Sequence, residues 1–214
     1  MLSRGIARHT HRRETAATIT NVRGGAGPGA GPRSRGLIVN DFLSGSSEAP
    51  AYTRALSTHA ADYAGFNLLA YDGSALCWYS NCAAGPRQLE RGIYTLSNAQ
   101  LDTAWPKSER LRAAFGRVVG VSNAADTFVS HLLDILRDDQ TAADHELPQT
   151  GIGHAMERVL SSIFIRGDSY GTRCSSVVLI DDQGSVTFHE RRYDRAARVN
   201  GETRIEFELA APPA

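Results

Sequence analysis

Apolar positions along the chain change period several times, and each change predicts an element. Ala16 to Val22 is a β-branched run suited to a strand, and it runs into a Gly/Pro-rich loop from Gly24 to Pro32. From Ser34, a plausible N-cap, the spacing turns helical, with Ile38 above Phe42 and Val39 above Leu43. A second helix is predicted over roughly Ala49 to Tyr63, carrying Tyr52, Leu56 and Tyr63. Phe66 to Tyr71 and Ala75 to Ser80 flank Asp72-Gly73, a dipeptide that favours tight hairpin turns. Ile93 to Leu96 is a further strand candidate.

Pro106 then opens a helix striped by Leu111, Phe115, Val118 and Val119 and stopping near Gly120. Asp126 can cap the next helix, in which Phe128, Leu132, Leu133, Ile135 and Leu136 face the core. Asp138 to Gly153 is acidic and turn-rich. The last third returns to strands at Ser176 to Ile180, Val186 to Tyr193 and Arg204 to Leu209, with a turn at Asp181 to Gly184. Strands come in runs and helices in runs, which predicts an α+β protein of mainly antiparallel sheets with helices on their outer faces. The boundaries expected are a leader over 1–14, a single domain over 15–210 and a tail over 211–214.

Composition changes this picture little. Hydrophobic residues are 42% and charged residues 21%, ordinary for a folded globular chain. Lys plus Arg and Asp plus Glu both number 23, so no net field favours nucleic acid or an anionic membrane. No apolar run is long enough to cross a bilayer. Three cysteines, Cys77, Cys82 and Cys174, do not make a disulfide framework, and a reducing, cytoplasmic setting is the simpler expectation. Seven arginines against the single acid Glu14 between Met1 and Gly36 raise a mitochondrial targeting reading as the alternative.

Candidate chemistry follows the strand ends. Arg33 and Arg35 flank a helix start beside the glycine-rich loop and can bind an anion, or be solvated surface residues. Asn98 at a strand end can donate to an oxyanion, whereas Asp102 or Thr103 can simply cap the following helix, and spacing favours the cap. Arg173, just before an apolar strand, can hold a carboxylate or phosphate bidentately. Ser175 and Ser176 lack a neighbouring base in sequence, which favours strand-end hydrogen bonding over nucleophilic work. His9 and His11 have no companion ligands for a zinc site, Cys77 and Cys82 are not a CxxC pair, and no bound metal is expected. His131, inside an apolar helix, reads as a packed residue.

The order of the motifs carries more than any one of them. Thr20-Asn21-Val22-Arg23, Arg33-Ser34-Arg35-Gly36, Asp41-Phe42-Leu43, Gly65-Phe66-Asn67-Leu68-Leu69, Tyr79-Ser80-Asn81, Leu96-Ser97-Asn98-Ala99, Trp105-Pro106-Lys107, Thr150-Gly151-Ile152-Gly153 and Gly171-Thr172-Arg173 together resemble the NRDE family, also called the transport and Golgi organisation 2 family. The resemblance runs from about Thr15 to Leu209. It implies a four-layer αββα sandwich of the N-terminal nucleophile hydrolase type, incomplete at the N-terminus. Family members usually begin Met-Cys and carry Asn-Arg-Asp-Glu soon after, whereas this sequence opens Met1-Leu2-Ser3. Such hydrolases attack with the first residue's side chain, so no catalytic nucleophile is expected here.

What the resemblance leaves is the receiving half of a pocket, with Asn21, Asn81 and Asn98 as ligand-binding or oxyanion candidates and Arg173 as an orienting cation; Arg33, Arg35 and Asp102 are secondary candidates. Cys82 stands where relatives tend to have Arg, and this does not make it a nucleophile. The implied function is handling of a small ligand, in haem trafficking or acyl-CoA and lipid homeostasis, with haem or acyl-CoA as ligand and no cofactor required. The alternative is an amide or acyl hydrolase whose catalytic Cys lies upstream of a misplaced start. A third class is an inert structural or partner protein, which exposed hydrophobic sheet would favour by recruiting another chain.

Overall fold

A computed structural model describes residues 3–6, 15–24, 31–121, 125–167 and 169–208, with the backbone alone at 3–6, 121 and 125. His9 and His11, most of the Gly24 to Pro32 loop, and the tail lie outside the described residues. The chain is α+β, with two antiparallel sheets, and divides into two compact units, 1–103 and 104–214.

The first unit is a five-stranded sheet in the order β1 (Ser3–Ile6), β2 (Ala16–Asn21), β3 (Phe66–Tyr71), β4 (Leu76–Ser80) and β5 (Arg87–Leu89). Period-two alternation gives the sheet its buried face: Ala17, Ile19, Phe66, Leu68, Ala70, Cys77 and Tyr79 pack with Ile38, Val39, Phe42 and Leu43 of α1 (Gly36–Ser44) and Leu56 of α2 (Ala49–Ser57). Phe66, Leu68 and Ile38 are fully buried, and each large apolar side chain so placed contributes about 1.5–3 kcal/mol. The hairpin falls where Asp72-Gly73 predicts it, and Asp72 does more than turn the chain. Its carboxylate accepts the Ser74 and Ala75 N–H groups at 3.0 and 2.8 Å and also the Ala49 N–H at 2.7 Å, so one side chain fixes the turn and the start of α2. Burial alone would raise its pKa, but these bonds outweigh burial and hold the carboxyl below its ordinary value.

Several boundaries differ from expectation. β1 occupies part of the stretch read as a leader, because four residues without alternation carry no local strand signal and their pairing with β2 is long-range. Helix α1 begins at Gly36 after Arg35, and among the described residues Ser34 Oγ accepts the Gly36 N–H at 3.3 Å, with no side-chain cap bond from Arg35. The second helix stops at Ser57, where the Ser57 and Thr58 hydroxyls turn back onto the Arg54 and Ala55 carbonyls; a separate 3₁₀ turn covers Ala60–Asp62. Ile93 to Leu96 is not a strand. Thr95 exchanges its backbone N–H and carbonyl with Asp102 and so closes a loop; the strand beside β4 is β5.

The second unit holds α3 (Pro106–Val121), α4 (Ala125–Ile135), α5 (His154–Val159) and a three-stranded sheet of β6 (Cys174–Ile180), β7 (Ser185–Tyr193) and β8 (Val199–Glu208). Val118, Val129, Leu132, Leu133 and Val177 form its core, with Phe115, Phe128 and Leu179 against it. Val119, expected in the α3 stripe, is exposed. His131 is exposed on α4 and not packed, since it follows Val129 and precedes Leu132 on the opposite side of the turn. Asp126 lies inside the first turn of α4 and pairs with Arg204 at 2.6 Å. β8 begins earlier than predicted and is bulged opposite Arg192 and Tyr193. Short α5, unforeseen, follows the Gly151 and Gly153 turn; buried Glu157 anchors it by accepting the Thr150 N–H and hydroxyl at 2.7 and 2.5 Å.

Candidate functional site

The end of β2 gathers the first unit's polar motifs. Three consecutive carbonyls of the loop after Leu96 are each held: Ser97 O by the Thr20 hydroxyl at 2.9 Å, Asn98 O by the Arg23 N–H at 2.6 Å, and Ala99 O by the Asn67 amide at 2.8 Å. Asn67 is wholly buried and saturated, since its amide also reaches Thr20 Oγ1 at 3.2 Å and its carbonyl accepts the Trp78 indole N–H at 3.2 Å. A strand alternating into a dry interior tolerates an asparagine there only when every polar atom is paired.

This clamp brings Asn21 and Asn98 together. The Asn98 amide donates to both the backbone and side-chain oxygens of Asn21 at 3.0 and 2.9 Å, and Arg23 approaches Asn98 Oδ1 at 3.4 Å. Both Asn98 contacts are with Asn21 oxygens, which leaves the Asn21 amide nitrogen as the donor of the pair without a bond among the described residues. Asn21 is exposed. Arg35 is tied to the same strand end through Gly65 O at 2.8 Å, which also accepts the Val22 N–H. Gly65 permits this close approach, because a Cβ there would stand 3.2 Å from Cys82 Sγ and 3.3 Å from Val22 Cβ.

Asn81 has a different set of partners. Its amide donates to the Ala60 and Tyr63 carbonyls at 3.1 and 3.0 Å, while its oxygen accepts the Phe66 N–H at 2.9 Å, so it holds the chain entering β3. Neighbouring Cys82 has its thiol pKa pushed up by burial, which keeps it protonated and poorly nucleophilic. Asp102 does not cap α3. It adopts a left-handed backbone, φ 59°, and accepts the Thr95 N–H at 2.9 Å, while Thr103 Oγ1 bonds Gln100 O. Arg33 lies over the Tyr63 ring at 5.1 Å and continues the backbone beside it. Burial raises the Tyr63 pKa against the opposing effect of Arg33.

In the second unit Arg173 immediately precedes β6. Its carbonyl accepts the Tyr193 N–H at 2.9 Å, its side chain is exposed, and its guanidinium makes no hydrogen bond or ion pair among the described residues. Ser175 is buried beside the Tyr193 hydroxyl at 3.4 Å, and Ser176 bonds Glu190 at 3.3 Å, so both hydroxyls serve the sheet. Among the described residues no three His, Cys, Asp or Glu side chains converge as a metal site would require, and no helix is long and apolar enough to cross a membrane.

Sequence reasoning missed Asn67, Thr20 and Arg23 as working parts of this strand end. The available signal was an asparagine inside the apolar run from Phe66 to Leu69, where an unpaired amide would be costly. Comparison with known proteins agrees with the motif order. The family model described as Transport and Golgi organisation 2 matches residues 5–195. The human Transport and Golgi organization protein 2 homolog is 34% identical over 193 residues, covering 83% of this chain and 68% of the relative. The mouse Transport and Golgi organization 2 homolog is 33% identical over 174 residues, and the bovine protein 35% over 176; each match covers 74% of this chain. The matched region spans 62% of the length of the mouse and bovine relatives. With the family model matched over nearly the whole chain, this protein belongs to the Transport and Golgi organisation 2 family.

Proposed function

We propose that this chain binds a small ligand of haem or acyl-CoA type and, through these residues, holds it without turnover. The carrying observation is the strand-end pair, in which Asn98 is engaged by Asn21 and the Asn21 amide keeps its donor capacity. An amide donor suits a ligand carbonyl or carboxylate; in the second unit, taken by itself, exposed Arg173 suits a carboxylate or phosphate. The non-catalytic reading is supported by the condition of the hydroxyls and thiol near these motifs: Thr20 donates to a carbonyl, Cys82 stays protonated, and Ser175 faces a tyrosine. The αββα sandwich belongs to the same proposal, supported by an antiparallel sheet with helices on one face in each unit.

Titration of the purified chain with haem and with an acyl-CoA tests it. Saturable binding of at least one is expected; linear, non-saturating signals with both would end the reading. A hydrolase reading draws on the same Asn21 donor, which would serve an oxyanion equally well. Its check is the coding sequence upstream of Met1, where an in-frame Met-Cys and Asn-Arg-Asp-Glu would favour it and an immediate stop codon would remove it.

A further inference from the structure

In the second unit an arginine is stacked on two buried rings without an acid to balance it. Phe164 and Tyr193 are wholly buried and meet edge to face, with ring centroids 4.7 Å apart. The Arg137 guanidinium, just beyond α4 in the chain, lies 5.4 Å from the Phe164 centroid and 5.2 Å from that of Tyr193. The acids that neighbour these residues in sequence are each taken by another arginine: Asp138 by Arg110 at 2.9 Å, Asp139 by Arg166 at 2.7 Å, Asp134 by Arg191 at 3.9 Å and Asp194 by Arg198 at 3.1 Å. Among the described residues the Arg137 side chain donates only to the neutral Ala197 carbonyl, at 3.2 Å, although a guanidinium carries five N–H donors. A half-buried cation held on aromatic faces, with no counter-charge, is an arrangement that an anion completes.

Arg173 comes to the same ring by strand register. Cys174 pairs with Arg192, and one step further the Tyr193 N–H donates to Arg173 O at 2.9 Å, so Arg173 stands opposite Tyr193. Directly opposed residues of an antiparallel pair project from one face, with Cβ atoms about 5 Å apart. On that face the Tyr193 hydroxyl meets Ser175 Oγ, and Val177 joins the α4 core; Ser175 and Val177 are buried and Arg173 is exposed, so the core reaches its edge where Arg173 and Arg137 flank Tyr193. We infer that Arg137 and Arg173 form a cradle for one phosphate or diphosphate group. Two guanidinium forks with no carboxylate of their own match a dianion with several terminal oxygens, whereas a carboxylate brings one charge and two oxygens, enough for one fork. The cradle rests on the ligand-handling reading for the molecule that carries the phosphate, and it favours the acyl-CoA type over haem, whose charged groups are carboxylates.

Pyrophosphate titrated into the full chain by calorimetry at constant ionic strength tests the cradle, with acetate as the monoanionic control. Saturable binding of pyrophosphate and none of acetate is expected, and Arg137→Gln and Arg173→Gln should each weaken it by about tenfold. The double variant should lose less than the product of the two single losses, because both arginines hold one group. Arg137 also supports the Ala197 turn, so a circular-dichroism melt accompanies its variant; if Arg137→Gln does not fold, Arg137→Lys, which keeps the charge and loses the fork, takes its place. Absence of saturable pyrophosphate binding overturns the inference. So does binding that a folded variant at either position leaves unchanged, or single losses that simply multiply. Pyrophosphate should also displace an acyl-CoA from the chain. Acyl-CoA binding without such competition refutes the cradle and leaves the ligand-handling reading standing, whereas pyrophosphate binding through both arginines, with neither acyl-CoA nor haem bound, supports the cradle and ends that reading.

Discussion

The end of β2 and the mouth of β6 present polar side chains in opposite conditions. Around β2, asparagine amides are bound by neighbouring backbone: Asn81 by the Ala60 and Tyr63 carbonyls, Asn67 by Ala99, and Asn98 by Asn21. At β6, Arg173 is exposed and its guanidinium has no partner among the described residues. The contrast separates residues that build a site from residues able to serve a ligand. Asparagines that look equivalent in sequence divide by where their amide hydrogens point: among these four, Asn21 alone keeps an unused amide donor among the described residues, as Arg173 keeps its guanidinium in the other unit. Substitutions on the two sides should therefore diverge, with those at the builders costing stability and those at the servers costing affinity.

The largest effect is expected at Asn67. Leucine there fits the volume but strands the buried Trp78 indole N–H and frees the Ala99 carbonyl, and a loss of about 3 kcal/mol should appear as a lower urea midpoint. An unchanged midpoint would mean that the clamp is incidental. Asp72→Ala comes next, at about 2 kcal/mol, because it releases the N–H groups of Ala49, Ser74 and Ala75 together. The Asp72 pKa is lowered by folding, so its contribution is fully present above its unfolded value, near 3.8, and is lost as pH falls through the lower folded value. An acid titration of stability should show the wild type losing this increment below about pH 4, while Asp72→Ala lacks it; parallel curves would refute the assignment.

Smaller changes sharpen the divide. Asn98→Ala should cost about 1 kcal/mol, since it removes bonds at an exposed strand end. Arg173→Ala should leave stability within about 0.5 kcal/mol yet weaken binding of an anionic ligand by about tenfold, the worth of one charge-assisted hydrogen bond. Thermal melts paired with binding isotherms on each variant distinguish these patterns. Destabilisation by Arg173→Ala comparable to that of Asn98→Ala would erase the distinction between the two regions.

The hairpin and the core helices were legible because their signals are local. Asp72-Gly73 marks its own turn, and the apolar spacing of Ile38, Phe42, Leu132 and Leu133 reports burial directly. Ile93 to Leu96 was misread for a reason of the same kind in reverse: its β-branched residues suit a strand, but Asp102, seven residues beyond Thr95, captures the backbone N–H that a ladder would use. Asp102 was read as a helix cap because spacing alone does not reveal its left-handed backbone. Helix α5 was missed since its stability comes from buried Glu157 accepting Thr150, an arrangement without apolar periodicity. At the candidate site the motif residues were visible and their division of labour was not, because hydrogen-bond direction depends on contacts between residues such as Asn21 and Asn98 that stand far apart in the chain.

The ligand-handling account meets its most direct test in a calorimetric titration of an acyl-CoA and of haem into the full chain and into Asn21→Ala. Saturable heat with the parent, and a clearly weaker affinity in a variant that melts at nearly the same temperature, is the result expected. Indistinguishable isotherms for the two proteins, or release of free CoA from the acyl-CoA by the parent chain over repeated turnovers, would contradict the account.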